Sequence, residues 1–149
     1  MHANWLGLRS VPSALVDTGA IVALVNADDR HHAAAAEWFR GFRGLMLTTE
    51  AVVTETAYAL AASPDHQRAA LLWIQRMVDA NLLRVEPIAR HGRLAEIVAR
   101  YASLPCDYAD ASLIALAEDS GVAAIATIDQ RDFSVYRIKG RKRFNILLP

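Results

Sequence analysis

A chain of 149 residues is the size of one domain, and with 54% apolar and 21% charged residues it has ample material for a core, which excludes intrinsic disorder. Sixteen basic residues cancel sixteen acidic ones, so no overall field marks a nucleic-acid binder. The cancellation is uneven: residues 1–136 hold eleven cations against sixteen acids, a net −5, while Arg137, Lys139, Arg141, Lys142 and Arg143 put +5 on the remainder.

Residues 1–13 read as an N-terminal extension, ordered only if Trp5 docks it. Ala14–Val16 is a short apolar run, expected as a buried strand ending in Asp17. Thr18 is placed to cap a helix through about Asn26, and Asp29 to cap another that runs to about Phe42. Leu45–Leu47 is a second strand, and Thr48 or Thr49 opens a helix to about Ala62. Ser63-Pro64 starts the next helix, because proline is preorganised for the first helical position; its expected apolar stripe is Leu71, Leu72, Ile74, Met77 and Val78. Leu82–Val85 is a third strand, followed by a helix over about Ala89–Ala102. A further helix spans Asp107–Ser120, closed by Gly121, and Ala123–Ile128 is a fourth strand. Either Arg137–Ile138 or Phe144–Leu147 supplies a fifth.

Short apolar strands alternating with amphipathic helices predict a parallel sheet of about five strands covered on both faces, an α/β/α sandwich in one domain over residues 14–149. Sites in such sheets lie beyond the carboxyl ends of the strands. Asp17 and Asp129 follow two of them.

Most of the acids have ordinary explanations in turns, first helical turns or solvated faces, and Glu118 and Asp119 are expected to be exposed at a helix end. Glu55 differs, because its helical neighbours Ala51, Val52, Tyr58 and Ala59 are apolar and no cation lies at those spacings. Asp110 shares a face with Leu113, Ile114 and Ala117, although it could also sit at a favourable third helical position with Asp107 as cap. Asp17 could merely cap, and Asp129 could be a turn residue. Together, four acids from four segments map to one end of one sheet. Such a cluster repels itself unless a cation neutralises it, and a hard, oxygen-seeking ion such as Mg²⁺ or Mn²⁺ suits it. Carboxylate-held Mg²⁺ serves phosphoryl chemistry by binding a phosphate oxygen and lowering the pKa of a bound water. The constellation is that of a metal-dependent nuclease or phosphatase.

The runs LVDTGAIVALVNADDRHHAAAAEWF, LTTEAVVTETAYAL and CDYADASLIALAEDSGVAAIATIDQRDFSVY resemble the PIN-domain ribonuclease family, which includes the VapC-type toxins of bacterial toxin–antitoxin pairs. The resemblance extends from Ala14 to about Leu148, and the family's four acidic positions fall on Asp17, Glu55, Asp110 and Asp129. It implies a three-layer α/β/α fold and Mg²⁺- or Mn²⁺-dependent cleavage of RNA to 5′-phosphate and 3′-hydroxyl ends. It also implies a homodimer and a cognate antitoxin as partners. Asp17 and Asp110 would be the chief metal ligands, with Glu55 and Asp129 as further ligands or water-orienting acids. Asp107 and Asp132 are neighbouring acids that either join the site or cap helices.

Two other readings stay open: a binding module for RNA or antitoxin with little turnover, and a metal-dependent phosphatase of small esters. Asp17-Thr18-Gly19 matches the Asp-Thr-Gly signature of aspartic proteases, but those are all-β and this chain is helix-rich. Adjacent histidines, as at His31-His32, point about 100° apart on a helix and cannot chelate jointly. Neither a dinucleotide nor a P-loop glycine motif occurs. The single Cys106 excludes an internal disulfide or a cysteine-built zinc cage, and no basic-then-apolar leader or ~20-residue apolar run appears; the expectation is a soluble cytoplasmic protein with no membrane contact. Arg141, Lys142 and Arg143 offer phosphates a backbone-positioning surface, or serve only charge balance.

Overall fold

The computed structural model describes Trp5 and residues 11–149; the remainder of the expected extension, 1–4 and 6–10, lies outside the described residues. In chain order the elements are β1 (Ser13–Val16), α1 (Thr18–Val25), α2 (His32–Gly41), β2 (Leu45–Thr49), α3 (Glu50–Ala59), α4 (Pro64–Asp79) and β3 (Leu83–Glu86). There follow α5 (His91–Arg100), α6 (Tyr108–Ser120), β4 (Ala124–Ala126), α7 (Gln130–Val135), β5 (Arg137–Ile138), β6 (Lys142–Arg143) and β7 (Asn145–Ile146). A five-stranded parallel sheet runs β3-β2-β1-β4-β7.

Successive strand residues face opposite sides of a sheet. Ala14, Leu15 and Val16 are all fully buried, so β1 is covered on both faces. On one side α5 and α6 pack together, with α6 over β2; α1, α2, α3 and α4 form a second packed group, with α4 against β3. The result is the expected α/β/α sandwich. No helix among the described residues is long and apolar enough to cross a membrane.

Several local expectations change. The fifth strand is β7, within the second of the two segments considered; β5 instead pairs antiparallel with β6 in a separate ribbon, where Lys139 (φ 52) and Gly140 (φ 72) reverse the chain. On α4, Leu71, Leu72 and Val78 are 46%, 37% and 37% exposed, and the packed face is Ala70, Trp73, Ile74 and Met77. Asp29 does not cap α2: its carboxylate accepts from His31 N at 2.8 Å inside the preceding turn, and His31 occupies the cap position without a side-chain bond. Asp17, not Thr18, caps α1. Ser63 with Pro64, Thr49, Asp107 and Gly121 take their expected capping places.

Glu118 is buried rather than exposed. Arg93 of α5 donates to both its carboxylate oxygens, and Lys139 N donates to one of them at 3.1 Å. Burial alone would raise its pKa; the Arg93 bonds reverse that and hold it below the usual range. This knot ties α5, α6 and the ribbon together. Trp5 is half-buried, with the Arg84 guanidinium 4.5 Å from its ring centroid, so that residue of the extension does dock.

Candidate active site

The carboxyl ends of β1 and β4 lie side by side where the strand order reverses, the usual place for a site in an open parallel sheet. Asp17 extends β1 by one residue, its N–H donating to Ala126 O at 3.0 Å. Its Oδ1 accepts from Thr18 N (2.7 Å) and its Oδ2 from Thr127 Oγ1 (2.9 Å). Thr127 Oγ1 in turn accepts from Asp129 N at 3.0 Å, so one hydroxyl fixes both acids at the strand ends. A Cβ at Gly19 would run into Ile128, so glycine lets α1 start tight against this loop. Asp129 Oδ1 caps α7 by accepting from Asp132 N at 3.1 Å.

Two more acids come from α6. Asp107 Oδ1 caps the helix by accepting from Asp110 N at 2.8 Å. Asp110, 9% exposed, accepts from the Tyr136 hydroxyl at 2.9 Å on Oδ2. Tyr136 is itself fully buried, packed edge-on against Tyr101 and Phe133. Glu55 reaches the cluster half-buried from α3. Its helical face is not a core stripe, since Tyr58 one turn on is 83% exposed.

The electrostatics bind these acids into one group. Burial, then the neighbouring Asp107 and Asp17, push the Asp110 carboxyl up to about 8 despite the Tyr136 bond. Burial raises Asp17 to about 6 against the opposing Thr127 and Thr18 hydrogen bonds, with Asp129 and Asp107 adding to the rise. Glu55 rises to about 7, chiefly by burial and then by Asp107 and Asp17. Asp132 is raised by burial and by Asp129. The structure thus brings Asp17, Glu55, Asp107 and Asp110 within mutual influence, with Asp129 beside Asp17 and Asp132 beside Asp129.

No group of three or more Asp, Glu, His or Cys side chains among the described residues is arranged to hold a metal ion. Direct bonds from one or two carboxylates suffice for Mg²⁺, which keeps several of its waters. The donor chemistry fits such an ion: the site is all oxygen, and no cation opposes its acids in the hydrogen-bond pattern described above. Thr18 Oγ1 is buried and completes no hydrogen bond, although it lies close enough to Glu55 to lower that acid's pKa. A buried orphan hydroxyl among acids is a natural partner for an ion's water.

Arg141, Lys142 and Arg143 are exposed on the β5–β6 ribbon, apart from this cluster. The ribbon's Lys139 is anchored at Glu118, about 12 Å along α6 from Asp110 at about 1.5 Å per residue. Sequence marks neither Thr127 nor Tyr136, and it marks Thr18 only as a helix cap. Thr127 lies two residues before Asp129 and could have been suspected; Tyr136 reaches Asp110 across 26 residues with no local signal. Cys106 is buried, its thiol pushed up to about 11 by that burial, so it is no nucleophile.

The PIN domain family model matches residues 14–139. Ribonuclease VapC26 of Mycobacterium tuberculosis is 27% identical over 139 residues, which cover 89% of this chain and 98% of that protein. The crystal structure of VapC20 of the same organism, described as a sarcin-ricin loop cleaving toxin, superposes with a TM-score of 0.69 at 22% identity, covering 83% of this chain and 95% of that one.

Proposed function

The chain belongs to the PIN domain family, and from that premise we propose that it is an Mg²⁺- or Mn²⁺-dependent endoribonuclease, the toxin of a toxin–antitoxin pair. The observation that carries this is the acidic cluster with raised pKa values, in which no cation among the described residues forms an ion pair with Asp17, Glu55 or Asp110. Likeness to a named ribonuclease supports RNA as the substrate. The nuclease domain is residues 14–149, with 1–13 as its extension.

Asp17 and Asp110 would hold the ion, with Glu55 and Asp129 beside them; Asp107 acts first as the α6 cap, and Asp132 is a first-turn residue of α7 that Asp129 caps. When bound, the ion supplies charge neutralisation at the scissile phosphate and a lowered water pKa. Thr127 holds Oδ2 of Asp17, whose Oδ1 accepts from Thr18 N, and Tyr136 holds Oδ2 of Asp110; these bonds fix the two carboxylates in place. Glu55, raised to about 7, can take or give a proton near neutral pH. Arg141, Lys142 and Arg143 would meet RNA phosphates at a distance from the chemistry, offsetting the repulsion of an acidic body.

The proposed protein partners are an antitoxin and a second copy of this chain. Apolar side chains that the fold leaves outside, including Leu71, Leu72, Val78 and Leu82, support a partnered surface. The proposed compartment is the cytoplasm.

The test compares RNA with p-nitrophenyl phosphate as substrates in EDTA, Mg²⁺, Mn²⁺ and Ca²⁺. The expected result is RNA cleavage with Mg²⁺ or Mn²⁺, poor activity with the larger Ca²⁺, and products bearing 5′-phosphate ends. Faster turnover of the small ester would make the protein a phosphatase. RNA binding without cleavage would make it a binding module.

A further inference from the structure

Tyr108 and His91 make an exposed aromatic surface beside the acidic cluster that packing does not require. Tyr108 is the first residue of α6, directly after Asp107, and is 49% exposed. His91 opens α5 and is likewise exposed. Its Nε2 lies 3.0 Å from the Tyr108 hydroxyl, the two ring planes differ by 8°, and the centroids are 6.0 Å apart. The two rings are thus nearly parallel and joined at their edges by the hydrogen bond. With Tyr108 49% exposed and His91 exposed, the pair presents aromatic surface to solvent.

A lone exposed tyrosine needs no explanation. One restrained by a partner 17 residues away does. The hydrogen bond restricts both side chains before any ligand arrives, which lowers the entropic cost of binding against them. Tyr108 directly follows Asp107 at the start of α6, and the Asp107 carboxylate reaches Asp110 N and raises Glu55. Tyr58, 83% exposed one helical turn beyond Glu55, puts a second exposed ring near the same acids. An exposed aromatic ring suits a flat π-system, and unpaired bases of single-stranded RNA stack on such side chains.

We propose that the Tyr108–His91 pair is a platform on which a nucleobase next to the scissile bond stacks, positioning the RNA strand across the acidic cluster. The proposal rests on the ribonuclease reading. Tyr108 carries the stack, and the His91 hydrogen bond restrains its ring.

The experiment measures steady-state RNA cleavage with Mg²⁺ for wild type, Tyr108→Ala, Tyr108→Phe and His91→Ala. Two oligonucleotides serve as competitors, one intact and one with abasic riboses on the same backbone. Tyr108→Ala should raise KM on the order of ten-fold, the loss of one base–aromatic stack, with a smaller change in kcat. Tyr108→Phe keeps the π-face but loses the hydroxyl that bonds His91, so Tyr108→Phe and His91→Ala should behave alike, both falling between wild type and Tyr108→Ala. Wild type should prefer the intact competitor about ten-fold, and Tyr108→Ala should lose that preference, since both changes remove the same contact. Equal discrimination by Tyr108→Ala and wild type overturns the platform, as does Tyr108→Phe as impaired as Tyr108→Ala. Wild type that neither cleaves RNA nor binds either oligonucleotide overturns the ribonuclease reading and the platform together; RNA cleavage with an unchanged KM in Tyr108→Ala overturns the platform alone.

Discussion

Replacing Asp110 by Asn should stabilise the metal-free protein at alkaline pH. The folded state holds this carboxyl at about 8, against an ordinary value of 3.8. Between those values the folded chain binds more protons than the unfolded one, so stability falls as pH rises through the window. The penalty is absent below about pH 4 and fully developed above pH 8. At about 1.4 kcal/mol per pH unit the full shift corresponds to on the order of 5 kcal/mol, and relaxation of the site leaves roughly 2–5 kcal/mol. Asn removes the charge and keeps an oxygen to accept from the Tyr136 hydroxyl, which donates to Asp110 at 2.9 Å. Thermal melts in EDTA at pH 5 and pH 8.5 read this directly. Wild type should lose stability on going to pH 8.5, and Asp110→Asn should melt roughly 5–15 °C above it there, with a smaller gap at pH 5. Millimolar Mg²⁺ should close the gap by stabilising wild type. A lower melting temperature for metal-free Asp110→Asn at pH 8.5 would mean that this carboxylate supports the fold, and the account of a frustrated cluster would fail.

Three further outcomes follow from particular contacts. Asp107→Asn should be mild in stability and metal affinity, because an Asn oxygen can still accept from Asp110 N; a loss of metal binding by calorimetry as complete as in Asp110→Asn would make Asp107 a ligand. Changing Arg141, Lys142 and Arg143 together to Ala should weaken RNA binding alike for every sequence and flatten the slope of log affinity against log salt by about 0.7 per contact, or ~2 for three. An unchanged slope in a titration over several salt concentrations would leave the ribbon as charge balance. Glu118→Gln should cost about 1–2 kcal/mol in urea unfolding, because Arg93, a quarter exposed, loses one of its two carboxylate partners and keeps Glu96; a cost under about 0.5 kcal/mol would show that the knot contributes little.

Much of this arrangement is legible in sequence because it rests on local rules. Asp107 three residues before Asp110, Ser63 before Pro64 and Gly121 after a helical run each carry a backbone requirement that few residues meet. What escaped reading depends on distant partners. Glu118 looks like an exposed helix-end acid until Arg93 reaches it from 25 residues away. On α4 the consecutive residues Leu71, Leu72, Trp73 and Ile74 point around most of the helix, so period alone cannot choose the packed face; contact with β3 and α1 does. The fifth strand was ambiguous for a similar reason, since Arg137–Ile138 and Asn145–Ile146 are equally short and only the open edge of β4 decides between them. At the site, the acids stood out as buried charges without local cations, whereas Tyr136 and Thr127, which orient them, look like ordinary core residues.

The central claim, that these carboxylates await a divalent cation, is tested most directly by counting the protons a cation displaces. At pH 6.5 Asp110 and Glu55, titrating at about 8 and about 7, retain protons that a bound ion must expel. Calorimetric titration of Mn²⁺ in two buffers of different ionisation enthalpy gives that number. The account predicts binding with release of between about one and two protons per ion, reduced at pH 8.5, and little binding by Asp17→Asn or Asp110→Asn. Binding without proton release at pH 6.5, or Mn²⁺ affinity undiminished in both variants, would contradict it.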